Sequence, residues 1–391
     1  MPMERPRYLE SAIATDLAGK MVFVAGSRQV GKTTLARRIL RAWDAGAYLS
    51  WDSREDRREI RAARWPGGRA LVALDELHKW RGWKGWLKGE FDKHRERLRF
   101  LVTGSARLDV YRRGEDSLQG RYHHHRLHPF SCAEVSGGAV PAEPGQELRL
   151  SARGDPDLVS SLLQFGGFPE PFLAQAARTL RRWQKERLDR FFREDVRDLE
   201  PIRDLSTFEL LADLLPGRVG SLLSLNALRE DLDVSHRALT HWMNVLETMY
   251  HVFRVRPYSG HRTRTLTKMP KAYMWDGSAV PDRAARFENL VASHLLKLCH
   301  FLEDSEGHAV ALRYLRDRQG REVDFLVTIG RKPWFAVEAK LSETRVDPAL
   351  VYFKQRLAIP WAYQVTLEGT RDFVESGVRV VPASRFLAAL V

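Results

Sequence analysis

Cysteine is scarce in this chain of 391 residues, because only Cys132 and Cys299 are present and they lie far apart. A disulfide framework and a cysteine zinc site are therefore not expected. Long apolar stretches are also missing, since no window approaches the roughly 18 consecutive apolar residues of a membrane-spanning helix. Residues 1–10 are polar and lack the apolar segment of a signal peptide. Three consecutive histidines, at 123–125, do not predict a metal site, because successive side chains of a strand point to opposite faces. We therefore expect a cytoplasmic protein with no membrane partner.

The chain carries an excess of positive charge, with 63 Lys and Arg residues against 50 Asp and Glu residues and a formal net charge of +13. Such a surface attracts an extended polyanion, so nucleic acid is the leading candidate partner, although solvated basic helices would explain the same composition. The length exceeds the roughly 250–300 residues that one hydrophobic core serves. Two or three domains are therefore predicted.

A nucleotide-binding motif follows an early apolar run. Residues 21–25 predict a buried strand, residues 26–33 read Gly-Ser-Arg-Gln-Val-Gly-Lys-Thr, and residues 34–42 predict a helix. The spacing is G-x-x-x-x-G-K-[ST], whose backbone amides close around phosphates at a helix N-terminus. Lys32 is predicted to hold the β- and γ-phosphates of ATP, and Thr33 to ligate Mg²⁺. The predicted ATP-binding residues are Gly26, Ser27, Arg28, Gln29, Val30, Gly31, Lys32, Thr33, Thr34, Asp75 and Ser105.

Two further apolar runs supply the predicted hydrolytic side chains. Residues 70–74 predict a strand that ends in Asp75 and Glu76, in the manner of a Walker B segment. Asp75 is predicted to hold Mg²⁺ and Glu76 to act as the catalytic base on the attacking water. Residues 99–105 predict another strand that ends in small polar residues, of which Thr103 or Ser105 could orient that water, although a strand-ending turn explains the same residues. Glycines and prolines between 137 and 145 then end the predicted nucleotide domain, residues 1–150.

These motifs, with Ser-Leu-Gln-Gly-Arg at 117–121 and Gly-Gly-Phe-Pro at 166–169, resemble a widespread bacterial and archaeal family of predicted AAA+ ATPases. The resemblance extends through the C-terminal half. It implies ATP hydrolysis with Mg²⁺, and it implies that Arg121 is a catalytic arginine finger acting across a subunit interface. A homo-oligomer is then expected, with a hexameric ring as one form. The alternative for Arg121 is an ordinary surface arginine.

Residues 151–202 are predicted to form a helical lid, and residues 203–275 a winged helix-turn-helix. Ser224 is predicted to cap a helix over residues 225–232, and Ser235 a helix over residues 236–249, before strand-like residues 252–256. The second helix is predicted to face DNA on one side. The predicted DNA contacts are Arg237, His241, Asn244, Arg254 and Arg256, with Arg262, Arg264 and Lys268 on the wing. The side predicted to be buried comprises Leu239, Met243, Leu246 and Met249. A winged helix that binds only protein is the alternative.

Residues 276–391 predict a nuclease-like domain. Strands are predicted near residues 311–315, 322–327 and 334–339, and the last two carry Asp324 and the Glu338, Lys340 pair, in the pattern of PD-(D/E)XK nucleases. Glu338 and Lys340 share a strand face by alternation, and a hairpin would place Asp324 beside them. Glu288 would complete a metal-binding set with Asp324 and Glu338, in which Asp324, Glu338 and Lys340 are the predicted catalytic residues. Retention of this fold without cleavage is the alternative.

The predicted fold class is α/β: a P-loop AAA+ domain with a parallel sheet and a helical lid, then a winged helix, then a restriction-endonuclease-like α/β domain. The predicted function is ATP-driven remodelling or processing of DNA, including branched or forked DNA. Two alternatives stay open. One is a nucleotide-dependent signalling switch that binds a protein partner, and the other is a defence nuclease whose cleavage is gated by ATP.

Overall fold

The computed structural model of the chain describes residues 5–105, 118–137, 142–150, 153–196, 204–259, 269–342 and 345–391. Ser117 and the predicted wing residues Arg262, Arg264 and Lys268 lie outside these ranges. Two compact units make up the chain, residues 1–128 and residues 129–391. Across the described residues, every helix is too short or too polar to traverse a bilayer.

A five-stranded parallel sheet forms the centre of the N-terminal unit, as predicted. Its strands are β1 (Met21–Ala25), β2 (Gly46–Ser50), β3 (Ala70–Asp75), β4 (Leu98–Gly104) and β5 (Tyr122–Arg126), in the spatial order β2-β3-β4-β1-β5. Every residue of β1 and β3 is buried, as expected for the continuous apolar runs of parallel strands that are covered on both faces. The α-helices in the described part of this unit are α1 (Glu10–Asp16), α2 (Lys32–Leu40), α3 (Arg54–Ala62) and α4 (Trp83–His94).

The carboxyl ends of these strands meet at one edge of the sheet. The register places Asp75 of β3 beside Ser50 of β2 and Thr103 of β4. It also places Ala25, the last residue of β1, beside Gly104 of β4. Ligands of open α/β sheets bind at this edge. The loop after β1 and the acidic residues after β3 therefore emerge where a ligand is expected.

Helices dominate the first half of the C-terminal unit. They are α5 (Cys132–Ser136), α6 (Pro156–Phe165), α7 (Pro169–Ala174), α8 (Ala177–Arg190), a π-helical segment (Phe191–Val196), α9 (Leu205–Leu214), α10 (Leu225–Asp231) and α11 (His236–Thr248). The region predicted as a helical lid, residues 151–202, is divided into several helices, because Gly166 and Gln175 have φ angles of 71° and 50° that a right-handed helix cannot contain. Ser224 and Ser235 accept backbone hydrogen bonds at the starts of α10 and α11, which confirms both predicted caps.

An eight-stranded mixed sheet forms the second half of this unit. Its strands are β6 (Val252–Pro257), β7 (Lys271–Met274), β8 (Val310–Arg316), β9 (Glu322–Ile329), β10 (Lys332–Lys340), β11 (Trp361–Thr366), β12 (Phe373–Glu375) and β13 (Val378–Pro382), in the order β12-β13-β11-β10-β9-β8-β6-β7. The accompanying helices are α12 (Arg283–Glu306), α13 (Pro348–Arg356) and α14 (Ala383–Leu387). Because β6 pairs with β8, strands on both sides of the predicted boundary at residue 275 belong to one sheet.

Candidate functional site

The loop between β1 and α2 has the backbone of a phosphate cradle. Gly31, the N-cap residue of α2, has φ 100°, a left-handed conformation that only glycine adopts easily. Gly26 is equally constrained by space, because a Cβ atom there would lie 2.7 Å from the carbonyl oxygen of Leu127. The Nζ of Lys32 donates to the carbonyl oxygens of Gly26 and Ser27 at 3.0 and 2.8 Å. The lysine therefore lies over the mouth of the loop.

A buried arginine that lies outside the motif supports this loop from behind. Arg7 donates from Nη1 to the carbonyl oxygen of Val30 at 2.8 Å and from Nη2 to that of His128 at 2.5 Å. Its side chain is 6% exposed. Hydrogen bonds to a charged donor contribute about 1.5–3 kcal/mol each, so Arg7 fixes the loop against the end of β5. Sequence reasoning missed this residue, because no motif links residue 7 to residue 30.

Asp75 accepts three side-chain hydrogen bonds at the edge of the sheet. Thr33 Oγ1 donates to Oδ2 at 2.9 Å, and Thr103 Oγ1 donates to Oδ1 at 2.5 Å. Tyr48, on β2, donates its hydroxyl to the same Oδ2. Burial, followed by the interaction with Asp75, raises the pKa of Tyr48 well above its ordinary value, so the phenol keeps the proton that it donates. The structure thus brings together Thr33 and Asp75, the two Mg²⁺ ligands predicted for the ATP site, and it adds Tyr48, which was not predicted.

Glu76 follows Asp75 and has a φ angle of 56°. That left-handed conformation is uncommon for a residue with a side chain and is often found at functional sites. Its Oε2 lies 3.4 Å from Nζ of Lys79 and 3.6 Å from Nε2 of His78. Lys79 also contacts Asp52 at 2.7 Å. The side chains of Lys79 and His78 therefore hold the Glu76 carboxylate.

Ser105 and Arg121, two other predicted site residues, each contact a neighbouring side chain. Ser105 is buried, and its Oγ lies 3.4 Å from Nε2 of His78. Arg121, the predicted arginine finger, forms two hydrogen bonds with Asp92 of α4, at 2.9 and 3.0 Å. The pair is solvent-exposed, so the guanidinium can be released from it at small cost.

These groups fit a magnesium nucleotide. A hydroxyl and a carboxylate lie side by side below a glycine loop with no room for a Cβ atom at position 26, and a lysine ammonium lies at the mouth of that loop. Hard oxygen donors of this kind are what Mg²⁺ prefers. Of the other predicted ATP contacts, Val30 is buried, whereas Thr34 is exposed and Arg28 and Gln29 are half-buried.

The helix predicted to contact DNA has one buried and one exposed side. Leu239, Met243, Leu246 and Met249 are buried, as predicted. On the opposite side Arg237 and Asn244 are exposed and His241 is half-buried. Arg254 of β6 donates to Glu247 and, at 2.7 Å, to Asn244 Oδ1. It therefore ties β6 to α11, while Arg256 is half-buried opposite Arg313 of β8.

The predicted carboxylates Glu288, Asp324 and Glu338 lie close together, and Glu322, which was not predicted, lies beside them. We call these four carboxylates the acidic cluster. The backbone N–H of Asp324 donates to Glu338 Oε2 at 3.1 Å, and that of Ala339 donates to Asp324 Oδ2 at 3.1 Å. Lys340 Nζ contacts Glu338 Oε1 at 2.8 Å and Asp347 at 2.9 Å. Burial, followed by the charge of Asp324, raises the pKa of Glu288 to about 7 and that of Glu338 to about 8.

Family models match three parts of the chain. Residues 18–136 match an AAA domain, residues 156–281 match a domain of unknown function (DUF8612), and residues 284–386 match another domain of unknown function (DUF4143). The AAA match covers the cradle, Asp75 and Glu76. Together with the geometry of those residues, it supports a P-loop ATPase.

Individual proteins are similar over longer stretches. An uncharacterized protein of Mycobacterium tuberculosis is 24% identical over 340 residues, which cover 83% of this chain and 71% of that protein. An uncharacterized protein of Methanocaldococcus jannaschii is 25% identical over 210 residues, which cover 51% of this chain and 46% of that protein. Among solved structures, a Walker-type ATPase of Pyrococcus abyssi has a TM-score of 0.43 at 15% identity, covering 72% of this chain and 96% of its own. A variant of Thermotoga maritima RuvB has a TM-score of 0.31 at 15% identity, covering 63% and 88%.

Proposed function

We propose that this protein is an oligomeric ATPase that binds DNA and uses ATP hydrolysis to remodel or process it. The contact between Thr33 at the start of α2 and Asp75 at the end of β3 is the observation that carries the ATPase part. It joins the two halves of a phosphoryl-transfer site, the cradle and the acidic strand end.

The residues of this site have separate roles in hydrolysis. Lys32 exchanges the carbonyl oxygens of Gly26 and Ser27 for phosphate oxygens of ATP. Thr33 and Asp75 would hold Mg²⁺, which neutralises phosphate charge when bound. Glu76 accepts the proton of the attacking water after its carboxylate leaves Lys79. Arg121 leaves Asp92 and acts on the nucleotide of the adjoining subunit, which is why an oligomer belongs to the proposal.

The DNA part rests on the order of elements in the C-terminal unit. Helix α9 is followed by a bridge between Leu222 and Lys271, then by α10, α11 and the β6–β7 hairpin. That order is the one expected of a winged helix, in which the second helix of the pair enters the major groove. Arg237, His241 and Asn244 lie on the side of α11 away from its buried residues. They are the phosphate and base contacts that we propose.

The second DNA-binding element is the nuclease-like fold. Helix α12, the antiparallel strands β8, β9 and β10, helix α13 and the parallel strand β11 follow one another in the order expected of that fold. The hairpin β9–β10 carries Asp324, Glu338 and Lys340 at its open end. DNA cleavage is not part of the proposed function, because a lysine side chain occupies the acidic cluster, as described below.

An ATPase assay with a panel of DNA forms tests the proposal. Linear, forked, four-way and single-stranded DNA should raise the ATPase rate of the full chain to different extents, and DNA binding should weaken steeply with salt. A plot of log K for DNA binding against log[salt] should be less steep by about 1 for Arg237→Ala, as expected for one lost phosphate contact. Arg182→Ala is the matched control, because Arg182 is an exposed arginine of α8 whose guanidinium lies 3.9 Å from Glu186.

A protein-binding switch would behave differently. Its ATPase rate would be the same with every DNA form, and Arg237→Ala would bind DNA as weakly as the wild-type protein. That result would refute the DNA part of the proposal and leave the ATPase part standing.

A further inference from the structure

The acidic cluster contains a buried lysine. Lys271, the first residue of β7, has a side chain that is only 2% exposed. Its Nζ lies 2.7 Å from Glu322 Oε1, 3.2 Å from Glu288 Oε1 and 3.3 Å from Asp324 Oδ1. The three carboxylates belong to α12 and β9, so one ammonium group joins three elements of the C-terminal unit.

Two of these carboxylates are the predicted metal ligands Glu288 and Asp324. The ammonium lies between them, where a shared divalent ion would have to bind. Other donors add to these contacts: Tyr273 donates to the same Glu288 Oε1 at 2.7 Å, and backbone N–H groups donate to Asp324 Oδ2 and Glu338 Oε2. A divalent ion requires several such oxygens at about 2.0–2.6 Å. Within the described part of the chain, no group of three or more His, Cys, Asp or Glu side chains is arranged to hold a metal ion. The residues therefore do not fit the ion that the nuclease pattern implies.

The surrounding backbone holds Lys271 in this position. Lys271 pairs with Val255 of β6 on one side and forms a bridge with Leu222 on the other. Close by, a Cβ atom at Gly220 would lie 2.7 Å from Glu288 Oε2, so the segment before α10 packs directly on the carboxylate. The ammonium is therefore carried into the cluster by a buried side chain on a strand that is paired on both sides.

The acidic cluster requires a cation because several carboxylates lie close together in it. Glu288, Glu322 and Asp324 meet in a space that is largely closed to water, and uncompensated charges are very costly there. Among the described residues, Lys340 contacts Glu338 and Asp347, at the more open end. Arg316 contacts Glu322 from the exposed side. The inner part of the cluster, between Glu288 and Asp324, is neutralised by Lys271.

We propose that the ammonium group of Lys271 takes the place of the divalent ion in this nuclease-like centre. The centre then connects the β6–β7 hairpin to strands β8–β10 without a metal ion, and it does not cleave DNA. This inference rests on the nuclease-like fold in the proposed function. It is independent of the ATPase and DNA-binding parts.

Titration of Mn²⁺ into the nucleotide-free full chain, with free Mn²⁺ measured by electron paramagnetic resonance, tests the proposal. Wild-type protein and Asp324→Asn should bind Mn²⁺ equally, since the cluster binds none in either. Lys271→Met should gain one Mn²⁺ site that the double variant Lys271→Met, Asp324→Asn lacks. Saturating Mn²⁺ should raise the melting temperature of Lys271→Met by about 5 °C or more, and should not raise that of the wild-type protein. Lys271→Arg, the control, keeps the positive charge and should gain no site.

Two results would overturn the proposal. One is a Mn²⁺ site in the wild-type protein that Asp324→Asn abolishes, and the other is a folded Lys271→Met that gains no site. If Lys271→Met does not fold, the comparison of wild-type protein with Asp324→Asn decides alone. ATPase and DNA-binding assays on the same preparations keep the two proposals apart. Their failure would refute the proposed function and leave the Mn²⁺ result unchanged.

Discussion

Substitution of Gly26 by alanine provides a quantitative test of the phosphate cradle. The added Cβ atom would lie 2.7 Å from the carbonyl oxygen of Leu127 and 3.2 Å from Cγ1 of Val30. The first neighbour is backbone at the end of β5, so it cannot rotate away. Overpacking of this kind costs about 1–3 kcal/mol. In the free protein the loop can relax outward, but with ATP bound its amides must close around the phosphates. The cost therefore appears as lost affinity, roughly 5-fold to 150-fold.

Equilibrium binding of a fluorescent ATP analogue with Mg²⁺ measures this loss. Gly19→Ala is the matched control, because Gly19 precedes β1 and a Cβ atom there would meet no atom within 4 Å. Its affinity should equal that of the wild-type protein. Circular dichroism establishes that Gly26→Ala is folded. A folded Gly26→Ala that binds the analogue as tightly as Gly19→Ala would refute the assignment of residues 26–33 as the cradle.

Three further outcomes follow from the two units. Tyr48→Phe removes a hydrogen bond to the Asp75 carboxylate, which contributes about 1.5–3 kcal/mol, so the urea midpoint of the N-terminal unit should fall; an unchanged midpoint would show that the contact is not made. Arg121→Ala should bind ATP normally but hydrolyse it slowly, and mixing it with Lys32→Ala subunits should restore part of the rate; full activity of Arg121→Ala alone would refute the arginine finger. Burial, followed by the charge of Asp324, raises the pKa of Glu338 from 4.5 to about 8. The Glu338 carboxyl therefore binds its proton more tightly in the folded state than in the unfolded state. The contribution of Glu338 to stability is greatest at acidic pH and declines as pH rises from about 4.5 to 8. Glu338→Gln should therefore make the melting temperature depend less steeply on pH over that range. The same pH dependence in the variant and the wild-type protein would contradict the raised pKa of Glu338.

The local sequence pattern predicted those elements and residues whose position depends on residues nearby in the sequence. The strands β1 and β3 are continuous apolar runs, and the cradle lies between a strand and a helix, so Lys32, Thr33 and Asp75 could be assigned from spacing. The serine caps of α10 and α11 depend on contacts three residues away, at 3.2 and 3.1 Å, and were predicted for the same reason.

Residues placed by long-range strand pairing could not be predicted in this way. Tyr48 reaches Asp75 only because β2 pairs with β3, and Arg7 reaches the loop from the start of the chain. Lys271 lies in the acidic cluster because β7 is brought there by β6, which pairs with β8. Sequence spacing predicted that Asp324 and Glu338 are neighbours, but it contained no information about Glu322 or about the cation between the carboxylates.

Equilibrium ATP binding by Lys32→Ala tests the central claim most directly, since the ammonium of Lys32 lies at the mouth of the cradle. Loss of one partner of a desolvated charge pair costs about 2–5 kcal/mol, so the affinity for ATP with Mg²⁺ should fall by roughly 30-fold or more. Glu76→Gln, in the same experiment, should bind ATP as the wild-type protein does and fail to hydrolyse it. ATP binding of wild-type strength by Lys32→Ala would contradict the account.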